Sequence, residues 1–211
     1  MLFVLVAVFI AFAVTSVAQA VAWAVMVAYG IQIEEITIFR GKPLATFQWG
    51  NTRINLGWIP LGIHGRLGDE QYAALPARGR VTIQMLAPAM LIVIGLLLLG
   101  SEKGWHHFVT GFIQSVNGAV HPVAVGAVLV EKLHQVYQRS VTEASGVIAM
   151  KASSFALLPC GSSGLPILQG IFSPPSRPRR WVEGAAVIGA LLMMLGLLIW
   201  AGIFCVYALK H

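Results

Sequence analysis

Four predominantly apolar stretches of this chain carry no formal charge: Met1–Ile33, Val81–Ser101, Ala152–Ser176 and Gly184–Leu209. A helix of about 20 apolar residues crosses the roughly 30 Å hydrocarbon layer of a bilayer. Each stretch can hold one, which predicts transmembrane helices at about 3–29, 82–100, 152–172 and 184–208. After Gly30 the period shortens. Ile31, Ile33, Ile36 and Ile38 alternate with polar residues and slip once at Glu34-Glu35, as a strand with a bulge does. Leu44–Trp49 and Thr52–Leu56 flank Gly50-Asn51, a hairpin signature. Residues 31–60 therefore predict a small β-hairpin sheet after the first helix. Lipid cannot satisfy an open sheet edge, so this sheet belongs at the membrane interface or against the helices.

The rest of the chain is less regular. Residues 64–80 read as a polar, turn-rich link, and Pro88 predicts a kink in the second helix. Trp105 to Val130 lacks formal charge, yet it holds His106, His107, Gln114, Asn117, His121 and Pro122. We read 101–146 as an interfacial or re-entrant segment rather than a fifth crossing, with Glu131–Glu143 as a polar surface helix. Pro174-Pro175-Ser176-Arg177-Pro178 predicts a stiff break before the last helix. No internal repeat is evident. The fold class expected is an α-helical integral membrane protein, a single membrane domain over 1–211, with about four transmembrane helices and a small membrane-associated β-sheet after helix 1.

Composition supports this class. Only 10% of residues are charged, and the mean hydropathy is +0.79. The first segment has no basic n-region and exceeds the roughly 7–15 apolar residues of a signal core, so it is expected to stay as a helix. The net charge of +6 is spread over loops, without the basic, aromatic-interleaved patch of a nucleic-acid binder. Cys160 and Cys205, on different apolar segments, make no disulfide framework. Arg40, Lys42, Arg53, Arg66, Arg78 and Arg80 follow helix 1, and Arg177, Arg179 and Arg180 precede the last helix. Against these stand Lys103, Lys132, Arg139, Lys151 and Lys210, so the positive-inside rule puts loops 30–81 and 173–183 in the cytoplasm and both termini outside.

Several segments, in order, resemble the site-2 proteases, zinc metalloproteases that cut within the membrane. Ile59-Pro60-Leu61-Gly62 is similar to that family's Pro-Leu-Gly-Gly segment, with Ile63-His64 in place of Gly-Tyr. Arg80 to Leu91 is similar to its Ala-Gly-Pro-x-x-Asn opening of helix 2, without its Gly and Asn, and Phe155-Ala-Leu-Leu-Pro159 to the Asn-Leu-Leu-Pro that precedes Leu-Asp-Gly. Pro122-Val-Ala-Val-Gly126 echoes a Gly-Pro-Val-Gly segment. The matches cover about half the chain, and the interval between helices 2 and 3 is too short for a complete PDZ domain, so the resemblance implies a PDZ-lacking relative.

Its chemistry departs from the family. Where the His-Glu-x-x-His motif belongs, this chain reads Ala18-Gln19-Ala20-Val21-Ala22. Zinc hydrolysis needs three protein ligands, an open water position and a base. Methyl groups at Ala18 and Ala22 cannot ligate, and the Gln19 amide cannot take a proton. The remaining Asp ligand falls near Gly164, in Cys160-Gly-Ser-Ser-Gly164, which has no carboxylate. His64, His106, His107 and His121 are other candidate ligands, read more simply as interfacial histidines. Glu131-x-x-His134 has the spacing of carboxylate metal helices but lacks the further Glu partners such sites use. Thr15, Ser16 and Gln19 share about one turn of helix 1 and are expected to hydrogen-bond across the bundle to Ser153 or Ser154. Lys151 reads as a snorkelling residue at the start of helix 3.

No cofactor and no catalytic set are predicted. The expected role is that of a non-catalytic site-2-protease-like subunit, structural or regulatory, of a bacterial inner membrane. Its partners are other integral membrane proteins and the lipid bilayer, and its sheet edge offers docking by strand addition. The alternatives are an active zinc-dependent intramembrane protease with a non-standard site, an accessory subunit of a respiratory or photosynthetic complex, and a small transporter component.

Overall fold

The computed structural model describes residues 2–158, 163–172 and 180–210. The chain is mostly helical with one small sheet, and it runs α1 (Leu2–Ala28), β1 (Ile33–Arg40), β2 (Ala45–Trp49), β3 (Thr52–Leu56), β4 (Ile59–Leu67) and α2 (Asp69–Ala74). It continues through α3 (Ala77–Leu99), α4 (Ser101–Val120), α5 (Pro122–Arg139), α6 (Val141–Leu157), α7 (Gly164–Phe172) and α8 (Arg180–Lys210). Among the described residues two helices, Phe3–Ala28 and Ala77–Leu99, are long and apolar enough to cross a membrane. That is compatible with a membrane protein.

α1 ends where Gly30 takes φ 76° and the Ile31 N–H donates to the Met26 carbonyl at 3.0 Å, a left-handed cap that turns the chain into β1. The sheet order is β2-β3-β1-β4, with β2–β3 and β1–β4 antiparallel and β1–β3 parallel. The hairpin and the slip after Ile33 fall where alternation predicts them. β4 and α2 replace the expected turn-rich link over most of 64–80, because Ile59–Leu67 is held as a strand by β1 rather than by its own alternation.

Register sorts the side chains. Phe47 pairs with Ile54, Ile54 with Ile36 and Ile36 with Gly65, so these share one face; Leu56, Ile38 and Ile63 share it too. Gln48, Arg53, Glu35 and Arg66 line the opposite face with Thr46, Asn55, Thr37 and His64. α1 lies on the apolar face: a Cβ on Gly65 would sit 2.7 Å from the Trp23 indole. A second slip, between Ile38 and Arg40, coincides with φ 65° at Phe39. Its ring meets Phe12 on α1, centroids 5.4 Å apart.

The helices pack through small residues. α3 and α6 run antiparallel, with Met150 filling the space over Gly95, and Leu98 and Leu99 over Gly146. α4 runs parallel to α6, with Gly104 on Met150 and Gly111 on Ser154. α5 runs parallel to α8, with Gly126 on Ile203. Segment 101–146 is two helices joined at His121, followed by the start of α6, whose N-cap Ser140 accepts from the Glu143 N–H. The stretch 152–172 is not one helix: α6 ends at Leu157, and Leu158 is extended, as a residue before proline prefers. Pro159-Cys160-Gly161-Ser162 and the proline-rich break at 174–178 lie outside the described residues.

Candidate functional site

Over Ala18–Ala22, where the resemblance would put a metalloprotease motif, α1 presents packing surface. Ala18 is fully buried against Leu91 of α3 and Ala149 of α6. Ala22 is fully buried with Met26 and Ile83, and Gln19 is half-buried. Gly164 opens α7, where a Cβ would run into the Leu157 and Leu158 carbonyl oxygens. α7 packs on α3, with lesser contact to α6 and α8. An imidazole at 18 or 22 would have to displace one of these helices.

The candidate histidines do not converge. His64 is on β4, exposed, opposite Thr37; His106 and His107 are neighbours on α4, their rings edge-on at 5.8 Å; His121 joins α4 to α5. Among the described residues no three His, Cys, Asp or Glu side chains gather as a metal ion needs. The polar turn of α1 also differs from expectation. Thr15 Oγ1 donates to its own helix, to the Ala11 carbonyl at 2.7 Å, and the buried Ser16 Oγ has no partner among the described residues. Ser153 instead donates to the Pro88 carbonyl at 3.0 Å, and Ser154 to the Phe108 carbonyl at 2.5 Å and the Met150 carbonyl at 2.9 Å. Both serines spend their hydroxyl donors in tying α6 to its neighbours.

Two polar clusters lie between the helices. In the first, the Lys151 ammonium donates to Thr110 Oγ1 at 2.7 Å, and Thr110 donates on to the His106 carbonyl at 2.8 Å. Lys103 pairs with Glu143 at 3.3 Å nearby, and His107 lies within electrostatic reach of all three charged groups. Lys151 is therefore in the body of α6, not at its start.

The second cluster joins Glu131 and His134 of α5 to Tyr207 of α8. The Tyr207 hydroxyl donates to Glu131 Oε2 at 2.8 Å and lies 2.7 Å from His134 Nδ1. With the hydroxyl hydrogen directed at Glu131, the contact between Tyr207 and Nδ1 needs a hydrogen on Nδ1, while Nε2 lies 3.3 Å from the Gln138 amide nitrogen. Phe3 stacks on His134 at 4.4 Å, so the cluster gathers α1, α5 and α8. The i, i+3 pair was visible in the sequence; Tyr207, 73 residues from His134, gave no signal.

The sheet supplies a third feature. β2 is an edge strand, and on it Phe47 is 58% and Trp49 77% exposed. On the polar face an open cleft of about 420 Å³ is lined by Glu34, Glu35, Gln48, Asn51, Arg53 and Arg66. Comparison with protein-family models finds no match, and no curated protein is significantly similar to the chain.

Proposed function

We propose that this chain is a non-catalytic, PDZ-lacking site-2-protease-like protein of a bacterial inner membrane, a structural or regulatory subunit that holds other integral membrane proteins. In this reading α1, α3, the broken 152–172 stretch and α8 are the four crossings, and loops 30–81 and 173–183 face the cytoplasm. The observation that carries it is the course of β1. Phe39 meets Phe12, which lies 16 positions before Ala28, so the strand returns along about 24 Å of α1. If α1 spans the bilayer, the sheet enters it.

An edge strand at that depth has a specific need. Unpaired backbone N–H and C=O groups cost several kcal/mol each in hydrocarbon. An extended segment of a membrane partner, added beside β2, satisfies them and covers Phe47 and Trp49. Methyl groups at positions 18 and 22 remove the ligands hydrolysis needs, so such a segment is held and not cut.

The test is photo-crosslinking from Phe47 and Gln48 in the native membrane, followed by gentle-detergent purification. Crosslinks to one membrane protein at fixed stoichiometry support the proposal. Crosslinks to lipid alone at both sites overturn strand docking. Zinc that co-purifies and is lost together with proteolysis on chelation overturns the non-catalytic reading.

A further inference from the structure

α4 has three faces. At about 100° per residue, Gly104, Gly111 and Gly118 fall within roughly 40° of one another, and they are the buried seam. Trp105, Val109, Ile113, Val116 and Val120 fill an arc of about 80° that is exposed and suits lipid chains. Lys103, His106, Thr110, Gln114 and Asn117 fill a second arc of about 80°, on the side where Lys151 reaches across from α6. His106 and Asn117 are exposed, and the side chains of Gln114 and Asn117 make no hydrogen bond among the described residues.

Depth gives this arc its meaning, and here the argument rests on the membrane reading above. Met150 packs at Gly95 and Ser153 bonds to Pro88, so Lys151 is level with the stretch between them. That is roughly 6–9 Å inside the Leu99 end of α3. Lys151 has a hydroxyl for a partner there, while the neighbouring carboxylate of Glu143 is engaged by Lys103. Gln114 lies one turn deeper on α4. Ionisable and amide groups at such depth face protein or water, not acyl chains.

We propose that the polar arc of α4, with Lys151, is the docking seam for a partner transmembrane helix that places a carboxylate opposite Lys151 and hydrogen-bonding groups opposite Gln114 and Asn117. Charge complementarity selects this occupant. A second copy of this chain would bring lysine to lysine. A phospholipid headgroup would satisfy the ammonium but would lay its acyl chains over the two amides.

The probe is a synthetic polyleucine transmembrane helix with one Glu, or Ala in its place, mixed with the full chain in phosphatidylcholine bicelles and followed by energy transfer. The Glu peptide should bind about tenfold tighter than the Ala peptide, the size of one interhelical polar contact. Lys151→Met should abolish that preference. Lys151→Glu should transfer it to a Lys-bearing peptide. Asn117→Leu, at an exposed position, should weaken the Glu peptide severalfold. Equal binding of both peptides, or a preference that survives Lys151→Met, overturns the seam. So does phosphatidylglycerol that erases the preference and is retained by the native chain but not by Lys151→Met. Amide exchange over 3–28 and 77–99 separates the two layers of the argument. Protected helices without peptide preference sink the seam alone, whereas unprotected helices sink the membrane reading beneath it.

Discussion

Gly111→Ala should destabilise the bundle although alanine is the better helix former. A Cβ at 111 would lie 2.5 Å from Ser154 Oγ and 2.7 Å from Ser154 Cβ. Carbon atoms rest at about 3.5–4.0 Å, so relief needs roughly 1 Å of separation between α4 and α6. Ser154 cannot rotate out of the way, because its Cβ is fixed to the backbone and its Oγ is committed to the Phe108 and Met150 carbonyls. Separation would stretch the 2.5 Å bond to Phe108 beyond use and loosen Met150 over Gly104. Overpacking costs about 1–3 kcal/mol and the lost hydrogen bond about 1, while helix preference returns about 1. The net is about 1–3 kcal/mol. The control is Gly126→Ala, where the new methyl meets only the flexible end of Ile203, at 2.6 Å from Cδ1, and the net should stay within about 1 kcal/mol. Tryptophan fluorescence during dodecyl sulfate titration in mixed micelles reads both. Adding Ser154→Gly to Gly111→Ala should recover at least about 1 kcal/mol beyond additivity. Equal stability of the two alanine variants, or strict additivity in the cycle, would refute the packing argument.

Two further outcomes follow from the same geometry. The triple change Ala18→His, Gln19→Glu and Ala22→His should lower stability, at about 1–3 kcal/mol for each imidazole forced into a fully buried alanine site. It should bind no stoichiometric zinc by elemental analysis and cleave no transmembrane reporter; a stable, zinc-loaded, active variant would show that the alignment at Gly164 is wrong. Tyr207→Phe should cost no more than about 1 kcal/mol in the same titration, because Glu131 stays exposed and can turn to water. A loss of several kcal/mol would mean that α8 depends on this cluster for its place.

The legible parts of the fold are those with their own period. Alternation gave β1 with its slip, Gly50-Asn51 gave the β2–β3 turn, and unbroken apolar runs gave α1, α3 and α8. β4 was illegible because Pro60, Gly62 and Gly65 dilute its alternation; Gly65 is there for Trp23, which belongs to another element. In α4 the seven-residue spacing of Gly104, Gly111 and Gly118 stood in the sequence, but glycine adds nothing to a hydrophobic pattern. Its meaning is the approach it permits to Met150, Ser154 and Trp200. The pair Glu131 and His134 shared a helix face and could be found; the Lys151–Thr110 contact spans 41 residues and could not. Apolar content also hid the break after Leu157, which only the extended residue ahead of Pro159 marks.

The buried alanines on α1 are packing positions. Without a driving force from water, helices in a bilayer associate where small residues let their backbones approach. Ala18 is where α1 reaches both α3 and α6, and Ala22 is where it reaches Ile83 one turn away. A side chain long enough to ligate metal would hold these helices apart. Under the proposed kinship, the two positions are therefore not a vacant site kept by default: the volume that ligands and a water would need is filled by α3 and α6. Such a core can be rigid where an active protease must admit a substrate to its metal. On that proposal the outward features, the β2 edge and the polar arc of α4, are where the chain would hold another protein.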